Sequence, residues 1–227
     1  MAAPAVIAPR AGEVIGDAPD RRVEILSEHE SLNATWSRFG PGRDGADLHV
    51  HREHTDLFYV LEGELTLRLG PQGREVAMEA GTLARVPPGV VHGFRNASAA
   101  EVRYLNLHAP GMGFAGYLRD LRDGRPAAYD QWDPPEDGGR PPSEVEFGDR
   151  ADVPAIKLFA AATEAGAAEE HADARHTELY VLEGGLLVSG VPAEAGAWVH
   201  VAPGEPHTLA AAGEGPARYL VVHTPAR

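Results

Sequence analysis

His49-Val50-His51-Arg52-Glu53-His54-Thr55-Asp56-Leu57-Phe58-Tyr59-Val60 is answered further on by Gly81-Thr82-Leu83-Ala84-Arg85-Val86-Pro87-Pro88-Gly89-Val90-Val91-His92-Gly93-Phe94-Arg95-Asn96, and the rest of the chain is organised around these two segments. In a strand, residues two apart point to one face, so His49 and His51 present both imidazoles to one point. Asp56 lies an odd five residues beyond His51 and joins them only if the chain turns through Arg52–Thr55 and re-enters as a second strand. The run Leu57-Phe58-Tyr59-Val60-Leu61 has the β-branched and aromatic content of such a strand. Pro88-Gly89 supplies a turn, which sets down a third strand near His92. Three histidines and a carboxylate from three strands then converge inside a barrel, a set that suits one divalent transition metal and leaves positions open for water or substrate.

These residues resemble the two sequence motifs of the cupin superfamily. His49, His51 and Gly63 match the first motif at its spacing, with Asp56 where the family has Glu and with Gly42 or Gly45 near the position of its leading glycine. Gly81, Pro87, Gly89, His92 and Asn96 match the second at every position. The resemblance implies a jelly-roll (double-stranded β-helix) barrel with His49, His51, Asp56 and His92 as metal ligands. Glu53 ranks behind Asp56 as the carboxylate, because it lies inside the expected turn.

An internal repeat extends the argument to the whole chain. An offset of 122 residues carries Val23-Glu24-Ile25 to Val145-Glu146-Phe147, His49 to His171, Asp56 to Glu178 and Gly63 to Gly185. An offset of 115 then carries Gly81 to Gly196, His92 to His207 and Arg103-Tyr104-Leu105 to Arg218-Tyr219-Leu220. The expected fold is all-β: two tandem cupin barrels joined by a short helical linker. The expected divisions are an extension over 1–22, a first barrel over 23–110, a linker over 111–144 and a second barrel over 145–227. Phe114, Tyr117, Leu118 and Leu121 have helical spacing, so Gly113 to Arg122 is expected to be an amphipathic helix packed on the first barrel. The Pro- and Gly-rich segment after it reads as irregular linker from which Trp132 can fold back.

The second copy changes the constellation to His171, Asp173, Glu178 and His207. His171, Glu178 and His207 form a candidate second metal site, with Asp173 as a fourth ligand or a nearby base. The alternative is a barrel that kept its shape and lost the metal, since Ala211 replaces Asn96. Aligning Tyr180-Val-Leu-Glu-Gly on Tyr59-Val-Leu-Glu-Gly instead moves Glu178 onto Leu57 and turns its side chain to the other face. His54 and His176 read as exposed turn residues, and His108, His200 and His223 as structural histidines of apolar strands.

Composition narrows the function. The chain has 227 residues, is 43% hydrophobic and 24% charged, and carries a formal net charge of −14, which argues against nucleic-acid and anionic-membrane partners. With no cysteine there is no disulfide and no thiolate ligand or nucleophile. Residues 1–22 have no basic start or sustained apolar core, so a cytoplasmic protein with a small-molecule substrate is expected, as monomer or homodimer. Phe58, Val60 and Phe94 share parity with Asp56 and His92 and are expected to line a pocket suited to an aromatic ligand. The first lobe resembles the quercetinase-type cupins, which implies a metal-dependent dioxygenase (an oxidoreductase) acting on a hydroxylated aromatic or enolisable small molecule, with Asp56 as catalytic base. A redox-neutral isomerase, decarboxylase or cyclase would use the same ligands, and a non-catalytic binding cupin is the third reading. The metal is one of iron, manganese, nickel, copper, cobalt or zinc.

Overall fold

Period-two patterning becomes antiparallel pairing in both halves of the chain in the computed structural model, which describes residues 3–226. The chain divides into two units. Glu13–Asp149 is the first. Its larger sheet runs Glu146–Gly148, Leu83–Val86, Thr55–Glu62, Val102–Ala109, Leu32–Phe39, Arg21–His29 and Glu13–Ala18 in spatial order. A three-stranded sheet, Arg74–Glu79, Glu64–Leu69 and His92–Arg95, faces it across a core that includes Phe58, Val60, Leu65, Leu67, Met78 and Val102. The sheets carry apolar residues on one face and interdigitate them, which is the jelly-roll solution to burying two one-sided sheets.

The second unit takes the residues before Glu13 together with those from Arg150 onward. Its six-stranded sheet runs Ala5–Ile7, Trp198–Val201, His176–Glu183, Ala217–Thr224, Ile156–Thr163 and Ala151–Val153. Four strands, Ala168–His171, His207–Ala211, Gly185–Val188 and Val191–Glu194, form the other. Leu179, Val181, Leu186, Val199 and Leu209 lie in the core of this unit.

Two features differ from the sequence-based expectation. Residues 1–22 are not an appendage: Glu13–Ala18 pairs with Arg21–His29 in the first unit, and Ala5–Ile7 pairs with Trp198–Val201 in the second. Val145-Glu146-Phe147 does not open the second barrel as a copy of Val23-Glu24-Ile25; Glu146–Gly148 pairs with Leu83–Val86 of the first, where Arg85 and Glu146 form an ion pair of 2.5 Å. Each unit is therefore edged by a strand that precedes the other in sequence.

The repeat also slips by one residue between His171 and Thr177. His49 and His171 stay equivalent, facing His92 and His207 across their ladders. Beyond them Asp56, opposite His108 and Val86, is matched by Thr177, opposite His223 and Val201. The glycines agree. A Cβ at Gly63 would stand 2.4 Å from the Glu101 carbonyl oxygen, and one at Gly184 would stand 2.6 Å from that of Pro216, both at positive φ. Gly184, not Gly185, is thus the counterpart of Gly63. The helix Phe114–Arg122 forms as its spacing predicts and buries Ala115 and Leu118. Among the described residues no helix is long and apolar enough to cross a membrane.

Candidate metal centre

The four residues of the first motif pair converge. His49 is held in strand-like register by two backbone hydrogen bonds to His92, of 2.8 and 2.9 Å, and Val50 by two to Trp132, of 2.9 and 3.0 Å. That ladder keeps the alternation that points His49 and His51 the same way. The chain bends at Arg52 and Glu53, and Asp56 enters on the strand Thr55–Glu62. The Pro87-Pro88-Gly89 turn, with Gly89 at φ +87° and its N–H on the His51 carbonyl, delivers His92 from the far side. Ligand atoms of His49, His51, Asp56 and His92 all lie within 4.8 Å of one another, and all four residues are buried.

Their hydrogen bonds fix the tautomers. His49 Nδ1–H donates to the Asp47 carbonyl at 2.7 Å, His92 Nδ1–H to that of Val90 at 2.9 Å, and His51 Nδ1–H to that of Asp130. Each Nε2 is left as a lone pair aimed inward, at 3.2 Å between His49 and His51 and at 3.2 and 3.6 Å from Asp56 Oδ2 to His92 and His51. Burial, with His92 and His51 alongside, draws the His49 pKa down to about 3, so this imidazole stays neutral near pH 7. Burial alone would raise the Asp56 carboxyl, but its interactions with His108, His51 and His92 outweigh that and hold it well below the ordinary range. Four acceptors facing one another make a set that could hold a cation between them. Donors about 2.1 Å from one ion stand roughly 3.0–3.4 Å apart in octahedral or tetrahedral geometry; the two separations of 3.2 Å fall in that range and the one of 3.6 Å lies just above it.

A second layer of residues holds this set, and the sequence reading passed over most of it. Asn106 Nδ2 donates to Asp56 Oδ1, leaving Oδ2 inward, and Asn106 Oδ1 accepts from His108 Nε2 at 2.9 Å. His108 is buried and bonded on both ring nitrogens. His54 is not the exposed turn residue expected from its position: it is fully buried, donates from Nδ1 to Asp130 Oδ2 at 3.0 Å, and meets the Tyr129 hydroxyl at 2.9 Å. Tyr129 also reaches His108 Nδ1 at 2.6 Å. Parity offered a signal, since His54 and Asp56 are two apart, as are Tyr104, Asn106 and His108. Asp130 offered none. Its carbonyl orients His51, and its carboxylate accepts from the backbone N–H of Arg52 and Glu53, from a segment expected to be plain linker. Trp132 folds back as anticipated, though the residue stays 45% exposed, with the Arg52 guanidinium over its ring. Glu53 lies exposed in the bend and offers no ligand.

A cavity of about 240 Å³ opens on His49, His51 and Asp56, walled by Phe39, Phe94 and Tyr104, with Phe114, Tyr117 and Leu118 of the helix at its side. Phe94 lines it as expected. Phe58 and Val60 do not: both are 0% exposed in the core, where Phe58 packs behind Phe94 at 5.1 Å between ring centroids. Gly45 is required beside Phe94, since a Cβ there would lie 2.2 Å from the ring. Asn96, the last residue of the second motif, is structural, its amide bonded to the carbonyls of Phe39, Gly40 and Ala100.

The second barrel does not assemble His171, Glu178 and His207. The one-residue slip puts Thr177 on the inward face, bonded to His223 at 3.2 Å, and turns Glu178 to the opposite face of the sheet, where it is buried and accepts from Trp198 Nε1 at 2.6 Å. His171 is exposed, and Asp173 is engaged by Arg175 at 2.8 Å. No metal-compatible cluster among the described residues includes any of these four.

Residues 35–108 match a family model described as a cupin domain. Over 108 residues the chain is 30% identical to a quercetin 2,3-dioxygenase of Bacillus subtilis (strain 168), a match covering 48% of this chain and 31% of that protein, so less than a third of the relative's length is represented. In fold, the bacterial pirin YhhW of Escherichia coli, solved with nickel(II), superposes with a TM-score of 0.72 at 14% identity over 99% of this chain and all of its own. An oxalate decarboxylase of Bacillus subtilis does so with a TM-score of 0.63 at 15% identity, over 98% of this chain and 77% of its own.

Proposed function

From the premise that this chain is a bicupin, with a cupin domain over residues 35–108, we propose that its first barrel is a metal-dependent enzyme site acting as an oxygenase on a hydroxylated aromatic or enolisable small molecule. One observation carries the metal: three Nε2 lone pairs, each fixed by an Nδ1–H bond to a carbonyl, face a carboxylate with no donor among them. His49, His51, His92 and Asp56 Oδ2 would hold it. A bound divalent ion supplies Lewis acidity, favouring a substrate hydroxyl as its oxyanion, and one that is redox-active supplies reactivity toward O2. The similarity of the first half to quercetin 2,3-dioxygenase supports the oxygenase reading over a redox-neutral one.

The protein's own residues perform the rest. Phe39, Phe94 and Tyr104 present aromatic walls to the substrate and keep water from its reacting carbon. The Asp56 carboxylate is the group that would receive the substrate proton, while Asn106 donates to its Oδ1 and keeps it in place. With its carboxyl held so low, Asp56 acts chiefly as a ligand and holds that proton only briefly.

The test is metal per chain in purified wild type, in His49→Ala/His92→Ala and in His171→Ala/His207→Ala. One metal lost only in the first variant is expected. No metal in any sample after reconstitution overturns the metalloenzyme reading. Turnover by the loaded protein without oxygen uptake, on an oxygen electrode, replaces the oxygenase with a redox-neutral enzyme.

A further inference from the structure

We propose that the first barrel's cavity selects an organic anion whose carboxylate seats on Arg21 while its apolar body lies between Phe39, Phe94 and Tyr104; this deepens, and rests on, the reading of that cavity as the reaction site. Arg21 opens the strand Arg21–His29, two and four residues before Val23 and Ile25, which are buried in the core. The alternation of a strand therefore aims its guanidinium at the barrel interior, where a hydrophobic side chain would be the ordinary choice. It lines the same cavity as His49, His51 and Asp56.

What distinguishes Arg21 from Arg43, whose Nε is likewise buried and unpartnered, is that no carboxylate among the described residues holds it. Its Nε is buried without a hydrogen-bond partner, and among the described residues no carboxylate reaches its guanidinium. The chain has 34 acidic side chains against 20 basic ones, so an arginine here readily finds a partner. Its neighbour Arg22 is held by Glu24 at 2.6 Å and Asp17 at 2.7 Å. Arg43, the other guanidinium lining the cavity, is held by Asp20 at 3.1 Å. Asp44 also lines the cavity but lies outside ion-pair reach of Arg21. A partly desolvated guanidinium facing an apolar cavity is costly until an anion meets it, and its planar fork matches a carboxylate in two parallel bonds. In a protein of net charge −14 a local cation of this kind helps to draw an anion in against the overall field.

The experiment uses metal-loaded protein and matched probes differing only at the carboxylate: 4-hydroxybenzoate and 4-hydroxycinnamate against their primary amides, by calorimetric titration. The acids are expected to bind at least tenfold tighter than the amides. In Arg21→Gln that preference should vanish with amide affinity unchanged, and in Arg21→Lys it should persist at a smaller margin. Equal affinity of acid and amide for wild type, no saturable binding of either acid, or an undiminished preference in Arg21→Gln overturns the proposal. If Arg21→Gln does not fold, the wild-type pairs and Arg21→Lys decide: a Lys variant with the full wild-type margin overturns the seating on a guanidinium fork. Metal content of the same samples separates the two readings. An acid preference in protein that cannot be loaded sinks the metal reading alone, and loaded protein without the preference sinks the anion assignment alone.

Discussion

Asn106 shows how much of the centre depends on residues that ligate nothing. By donating to Asp56 Oδ1 and accepting from His108, it fixes which carboxylate oxygen faces the imidazoles. Partners of this kind typically contribute 10–100-fold to metal affinity or activity. Asn106→Ala is therefore expected to weaken metal binding by about one to two orders of magnitude in a chelator competition while leaving a folded barrel; unchanged affinity would remove Asn106 from the support of the site. At this scale the cluster of His49, His51, Asp56 and His92 was legible in the sequence, because two motifs at fixed spacing specify its members together. Phe58, Val60 and Glu178 were not. Parity tells which face of a strand a residue takes, but not how deep in the barrel it lies, and a one-residue slip between His171 and Thr177 reverses it outright.

Among the elements, the segment after the helix Phe114–Arg122 matters most. Its composition argues against regular structure, and it has little, yet Trp132 pairs with Val50, and Tyr129 and Asp130 close over the histidines. Asp130 ties the bend at Arg52 and Glu53 by backbone hydrogen bonds of 3.0 and 2.8 Å and holds His54 at 3.0 Å. Hydrogen bonds to a charged group contribute about 1.5–3 kcal/mol each, less where water competes, so Asp130→Ala should cost about 2–4 kcal/mol in urea unfolding and raise the metal dissociation constant. A loss below about 0.5 kcal/mol would reduce the segment to a passive connection. These contacts reach back 76 to 78 residues, so no local pattern announces them. The helix was legible for the opposite reason: its apolar stripe is written within nine residues.

Taken whole, the metal-free protein should be acid-sensitive well above the carboxylate range. Burial draws His49 to about 3 and His54 to about 4, against roughly 6.5 in an unfolded chain. Between those limits the unfolded chain binds protons that the native one does not, so stability is complete above about pH 6.5 and falls as pH drops towards the folded values. At pH 5 each site accounts for a loss of up to about 2 kcal/mol. Urea melts of chelated protein at pH 7 and 5 check this: His54→Gln should flatten the dependence, and equal stabilities would refute it. Duplication into two β barrels was readable from the 115-residue offset. The edging strands Ala5–Ile7 and Glu146–Gly148 were not, since three-residue strands take their identity from their partners.

That arrangement of edges has a consequence for biosynthesis. Glu13–Asp149 is continuous, so everything its sheets need has left the ribosome once Glu146–Gly148 emerges. Ala5–Ile7 is translated long before Trp198–Val201, the strand it must join, and at about 5–20 residues per second it waits roughly 10–40 s. At three residues it is too short to template a lasting wrong pairing in that interval. The second barrel closes one edge of its sheet with a piece of chain made before the first barrel existed.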